Sequence, residues 1–188
     1  MGRFVFTAAV VLSLGLTACD PPAQPPGGES SVAAQQDLSP FVDAADVDVS
    51  GYYLPVEQIG VDGWMFHHLF MGQKGDFDAW RQGHRDGVFA PVMIEFEDQN
   101  SPMVTTELGE TRSGRDRILP TAYRVTDAHV VFEGRSERLG LVRLEGDLDA
   151  DGLAEARRNL GDETPVLTGT LTVAGRANPV RLRWWAGD

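Results

Sequence analysis

The sequence predicts a mainly β domain, an antiparallel sandwich or barrel of about seven strands with one or two short helices. Three observations predict it. Runs of β-branched and aromatic residues recur at intervals of about 8–12 residues, separated by clusters of Gly, Asn, Asp and Pro. Leu139–Leu148 alternates, with Leu139, Leu141, Arg143 and Glu145 on one parity and Gly140, Val142, Leu144 and Gly146 on the other. The 188 residues are 42% hydrophobic, a globular composition that suits one domain with appendages.

Residues 1–18 have the layout of an export signal. Arg3 precedes an apolar run from Phe4 to Leu16, and small residues follow. As a helix that run spans roughly 20 Å, short of a bilayer core of about 30 Å. It closes in Leu16-Thr17-Ala18-Cys19, which resembles the lipobox of bacterial lipoprotein precursors. The resemblance implies cleavage before Cys19 and attachment of palmitate-type acyl chains to it. Two or three chains anchor stably, at about 0.8 kcal/mol per buried methylene. Cys19 is the one cysteine of the chain, so neither an intramolecular disulfide nor a Cys-based zinc site is expected. Asp20 is similar to the retention signal of enterobacterial lipoproteins. That implies a periplasm-facing anchor in the inner membrane, with the outer membrane as the alternative.

Residues 19–48 read as the lipidated Cys and a flexible tether, and 49–188 as a soluble β-domain. The tether holds Pro21, Pro22, Pro25, Pro26, Gly27 and Gly28, with six acids and no Lys or Arg. Such a stretch buries too little apolar surface to offset its ordering entropy. A short helical turn is expected at most, over Pro40–Ala45. The net charge is −12 and the pI about 4.6, which excludes the basic face a nucleic-acid partner needs.

Within the domain, a short helix is expected over Phe77–Gln82, with Asp76 as N-cap and Trp80 facing inward. Ala90–Asp98 reads as a strand paired with Pro102–Glu107 across Gln99-Asn100-Ser101. Ile118–Thr126 and His129–Glu133 flank Asp127-Ala128, a two-residue hairpin connection. A second helix is expected over Gly152–Leu160, with Asp151 as N-cap, Leu153, Ala156 and Leu160 on one stripe, and Gly161 as C-cap. Thr164–Ala174 and Pro179–Trp185 form a last pair across Gly175-Arg176-Ala177-Asn178. Trp184 and Trp185 must then face opposite sides, leaving at least one exposed or over an edge.

Four groups of residues could carry chemistry. Asp147-Leu148-Asp149-Ala150-Asp151-Gly152 matches the opening of a calcium loop, with Glu155 at its ninth position. The twelfth position needs a bidentate Glu and holds Arg158, and helix capping explains the same acids more simply. His67 and His68 lie in Trp64-Met65-Phe66-His67-His68-Leu69-Phe70-Met71, but adjacent residues on a regular strand face opposite ways, so one site could not easily use both. The apolar residues around them, Trp64, Phe66, Phe70 and Trp80 together with His68, are the candidate ligand pocket. Glu95 and Glu97 share one face of a strand. No G-x-S-x-G elbow is present, and Ser136 with His129 is only a coincidence of composition, so no catalytic residue is assigned.

Leu167-Thr168-Gly169-Thr170-Leu171-Thr172-Val173-Ala174-Gly175-Arg176-Ala177-Asn178-Pro179-Val180-Arg181-Leu182 resembles the G-x-L-T-[VI]-x-G-x-x-x-P-V-x-L segment of YceI-like periplasmic proteins. The resemblance implies a lipocalin-type antiparallel barrel around a polyisoprenoid chain. In that family a long stretch follows this hairpin, where here six residues do. The expected function is a membrane-anchored envelope lipoprotein whose non-enzymatic β-domain binds an envelope protein or an apolar small molecule. The alternatives are a periplasmic hydrolase or metal-dependent enzyme using His67 or His68 with acids, and a calcium-stabilised module. Calcium, under that last alternative, is the only cofactor expected.

Overall fold

The computed structural model describes residues 40–106 and 109–187. The expected signal peptide, Cys19 and the Pro/Gly-rich start of the tether lie outside them. The described elements, in chain order, begin with β1 (Phe41–Ala44), β2 (Gly51–Pro55), β3 (Gly60–Val61), β4 (Trp64–Met71), helix α1 (Lys74–Arg81) and β5 (Val92–Asp98). They continue with β6 (Met103–Thr106), β7 (Gly109–Arg112), β8 (Arg115–Ile118), β9 (Pro120–Thr126), β10 (His129–Ser136) and β11 (Gly140–Leu148). Helix α2 (Ala150–Arg158), β12 (Pro165–Val173) and β13 (Arg176–Trp185) complete the set.

Ten strands form one sheet in the order β1-β9-β10-β11-β12-β13-β2-β4-β5-β8, curled into a half-barrel, and β3 adds to β4. The mainly β class holds, with nearly twice the expected number of strands. Period-two alternation drives the second half. Val142, Leu144 and Leu148 of β11 face inward with Leu167, Leu171 and Val173 of β12 and Val180, Leu182 and Trp184 of β13. Phe66, Phe96 and Phe132 join them, all at most 1% exposed. Each such side chain contributes about 1.5–3 kcal/mol by leaving water. Trp184 is buried and Trp185 exposed, as the alternation requires. Among the described residues no helix is long and apolar enough to cross a membrane.

Several expected elements differ. Phe41–Ala44, read as tether or helical turn, is a strand parallel to β9, with Phe41 opposite Tyr123. Its ring packs against Tyr123 and Trp80, at 5.2 and 5.8 Å between centroids, so burial overrides the polar composition around it. β6 does not pair with β5. The edges of β5 are taken by β4 and β8, and β6 pairs with β7 in a separate two-stranded ribbon.

Both helices start earlier than their acids suggest. Asp76 lies in the first turn of α1 and accepts the Gln73 backbone N–H at 2.8 Å from there, so Gln73 is the N-cap. Asp149, rather than Asp151, caps α2 by accepting the Gly152 N–H at 2.9 Å. α2 buries Leu153 and Ala156, then stops at Arg158 and leaves Leu160 in solvent. The β12–β13 connection is two residues, Ala174 and Gly175, with φ of 48° and 81°. Those paired positive angles are the left-handed geometry that matches hairpin twist, so β13 begins at Arg176 rather than Pro179.

Candidate functional site

The site forms where β4 breaks its alternation. Phe66 pairs with Phe96 and His68 pairs with Glu95, which leaves His67 as an extra residue without a partner. This is a β-bulge, and it turns two consecutive side chains to one face. Phe66, Leu69 and Met71 point into the core, while His67, His68 and Phe70 lie on the other face. The expectation that adjacent histidines diverge is therefore corrected. Their Nδ1 atoms stand 2.7 Å apart, one ring donating and the other accepting.

Glu95 lies across from His68 and is 2% exposed. A buried carboxylate needs partners, and β8 supplies them. Arg115 Nη1 donates to Glu95 Oε1 at 2.8 Å, and Arg117 donates through Nε and Nη2 to Oε2 at 3.3 and 3.1 Å. Glu97, on the same face as expected, accepts from Arg115 at 3.3 Å and lies 3.6 Å from His67 Nε2. Burial pushes the His68 pKa down to about 4 against the pull of Glu95, so the ring is a neutral imidazole at pH 7. Among the described residues, His67, His68 and Glu95 are the one group of three potential ligands whose donor atoms lie within 4.8 Å of one another.

An aromatic row adjoins this cluster. Tyr52 of β2 touches His68, Phe70 and Trp185, with ring centroids 5.0, 5.2 and 5.5 Å away. Phe70 meets Phe89 at 5.8 Å. Phe89 is held by an Asx turn in which Asp86 Oδ1 accepts the Val88 and Phe89 N–H groups at 2.9 Å. Those two bonds hold the Asp86 carboxyl below the usual carboxylate range. The loop overhangs a cleft of about 330 Å³ lined by Gly87, Val88, Glu95, Arg115, Arg117 and Leu119.

The other sequence candidates are scattered. Of the expected pocket, His68 and Phe70 share this face. Phe66 is a core residue against Phe96, Trp64 lies under the Arg138 guanidinium, and Trp80, on the buried side of α1, packs against Phe41 and under Arg85. The acids of the calcium-like motif are not gathered. Asp147 projects from β11 toward His129 at 3.0 Å, Asp149 caps α2, Asp151 sits in its first turn, and Glu155 pairs with Arg158 at 2.7 Å. His129 and Ser136 occupy opposite ends of β10, roughly 23 Å apart at about 3.3 Å per residue. The Ser136 hydroxyl donates to Asp116 at 2.5 Å and accepts the Arg138 and Leu139 N–H groups, which fixes a turn.

Sequence reasoning passed over Tyr52, Arg115 and Arg117. The Arg-Asp-Arg spacing of Arg115, Asp116 and Arg117 does place both arginines on one face of a strand, and it was the available signal for them. Comparison with family models, with curated proteins and with solved structures returned no match.

Proposed function

We propose that this chain is a bacterial envelope lipoprotein, anchored through Cys19 and facing the periplasm, whose β-domain binds a ligand or partner without transforming it. One observation carries the binding half of this reading: the outer sheet face bears exposed aromatics beside a buried, arginine-held carboxylate and two histidines. Isolated exposed apolar residues need no explanation, but Trp185, Tyr52, Phe70 and Phe89 are contiguous, and Phe89 follows the Gly87-Val88 segment that lines the cleft with Glu95, Arg115 and Arg117. The lipobox residues Leu16-Thr17-Ala18-Cys19 support the anchor.

Metabolic labelling with a palmitate analogue tests the anchor. The wild-type chain takes label and sediments with membranes, and Cys19→Ala does neither. An unlabelled wild-type chain removes the anchor. Native mass spectrometry of the full chain, extracted from envelopes in detergent, tests the face. A co-purifying mass that Trp185→Ala and Phe70→Ala lose supports it, and a polypeptide bearing only its anchor in all three removes it.

A further inference from the structure

We propose that His67, His68 and Glu95 form a binding site for one borderline divalent transition metal of the Zn2+ class. The inference names a ligand class for the face described above and rests on that reading. Two imidazole nitrogens and one carboxylate oxygen converge within 4.8 Å. Zinc bonds of about 2.0–2.1 Å place tetrahedral ligand atoms roughly 3.3 Å apart. The two Nδ1 atoms, at 2.7 Å, are slightly closer than that. A ring rotation of a few tenths of an ångström opens them, and the half-exposed His67 side chain is free to make it.

The donor set selects the metal. Mg2+ and Ca2+ demand oxygen ligands, whereas imidazole with a carboxylate suits Zn2+, Ni2+ or Cu2+. Three protein ligands leave at least one coordination position open. Glu95 Oε1 accepts one bond, from Arg115, and keeps a second lone pair for a metal, while Oε2 takes both bonds of Arg117, so the arginines orient the ligand while remaining bound to it. Their charge opposes a cation and holds the affinity below that of a structural zinc site.

The bulge is the independent observation. Phe66 before it and Leu69 after it both face the core, so the inward packing of β4 does not need the extra residue. What His67 adds is a second imidazole beside the first. Bulges of this kind are over-represented at sites where a side chain must be re-aimed.

The test uses the full chain in detergent, stripped with chelator and titrated with Zn2+ against a chromophoric competitor, and with Co2+ as a spectroscopic probe. One ion per chain is expected, weakened at least tenfold in His67→Ala and in Glu95→Gln, and unchanged in His129→Ala. His67 is the key variant because its partial exposure makes the substitution compatible with folding. Absence of saturable binding overturns the proposal, as does binding that His67→Ala leaves intact or His129→Ala abolishes. Palmitate labelling of the same preparations separates the two failures. A labelled chain that binds no zinc overturns the site alone, and an unlabelled chain that binds zinc overturns the anchor alone.

Discussion

The Nδ1 atoms of His67 and His68 approach to 2.7 Å although the two residues are consecutive in one strand. Regular pleating would send them to opposite faces, so the contact exists only because β4 carries one residue more than β5 opposite it. The irregularity is local, and the core is indifferent to it.

Deleting His67 should therefore preserve the fold. Phe66, His68 and Leu69 then alternate in, out and in, and their pairing with Phe96, Glu95 and Ile94 is already in register. We expect cooperative thermal unfolding with a stability within about 1 kcal/mol of wild type. Deleting Leu69 instead inverts the faces of the flanking residues and should abolish the transition. Circular dichroism melts of the two deletions decide it, and collapse of both would show that the bulge is structural.

Glu95 and its arginines should respond asymmetrically to substitution. The carboxylate is 2% exposed, while the side chains of Arg115 and Arg117 are 39% and 51% exposed. Removing the acid leaves cations that water can reach, so Glu95→Leu should stay within about 1 kcal/mol of wild type. Removing both arginines strands a buried charge, and Arg115→Ala with Arg117→Ala should cost about 3–5 kcal/mol. Urea denaturation midpoints measure both, and equal losses would contradict this account.

The same features explain what the sequence could reveal. β10, β11 and β13 alternate cleanly, and β12 does so beyond its irregularity at Val166, because one side of each meets the core and the other meets water. β4 does not, because the bulge shifts its period and Phe70 puts an aromatic on the outer face. β8 reads as Arg-Asp-Arg-Ile with no apolar alternation, since its outward arginines answer Glu95 and Glu97 and its Asp116 binds Ser136. β1 pairs with a strand about 80 residues away, which no local pattern encodes. The aspartates at 149 and 151 are legible as a helix start, with the cap displaced by two residues. The histidine site was not legible, because its geometry depends on a pairing register.

Gly51 should tolerate no side chain. Its φ is +137°, and a Cβ there would lie 2.2 Å from Trp184 Nε1. That indole N–H donates to the Ser50 carbonyl at 2.9 Å, and the same oxygen accepts from Arg157 Nη1 at 2.8 Å. Gly51→Ala therefore strains the backbone and displaces Trp184 from its bond to the Ser50 carbonyl, for a loss of about 3 kcal/mol. Gly83→Ala, with φ of +87° and open space around its Cβ, should lose only about 1 kcal/mol. Denaturant titration of the pair separates overlap from backbone strain.

Tyr53 should make the fold sensitive to alkali. Its side chain is fully buried and its hydroxyl donates to the Val49 carbonyl at 2.7 Å. Burial pushes its pKa far above the ordinary value of 10.0. A raised pKa contributes stability that is complete below about pH 10 and lost as pH rises further, because only the unfolded chain then releases the proton. Tyrosinate absorbance from Tyr53 should thus appear together with unfolding rather than before it. Tyr53→Phe leaves the Val49 carbonyl without this donor, costs about 1 kcal/mol at neutral pH and moves the alkaline transition upward.

The β12–β13 turn offers a gain instead of a loss. Ala174 has φ of 48°, where the methyl group approaches the following carbonyl at a cost of about 1–2 kcal/mol. Gly175 after it, at φ of 81°, occupies the second left-handed position without that strain. Asn at the first position is the common solution, since its side chain bonds locally in this conformation. Ala174 is exposed, and its N–H donates to the Leu141 carbonyl at 3.0 Å, a bond any residue but proline keeps. Ala174→Asn should therefore stabilise the domain by about 0.5–1 kcal/mol, and Ala174→Val should destabilise it by a similar amount. Thermal midpoints moving in the same direction for both would mean that the turn departs from this geometry in solution.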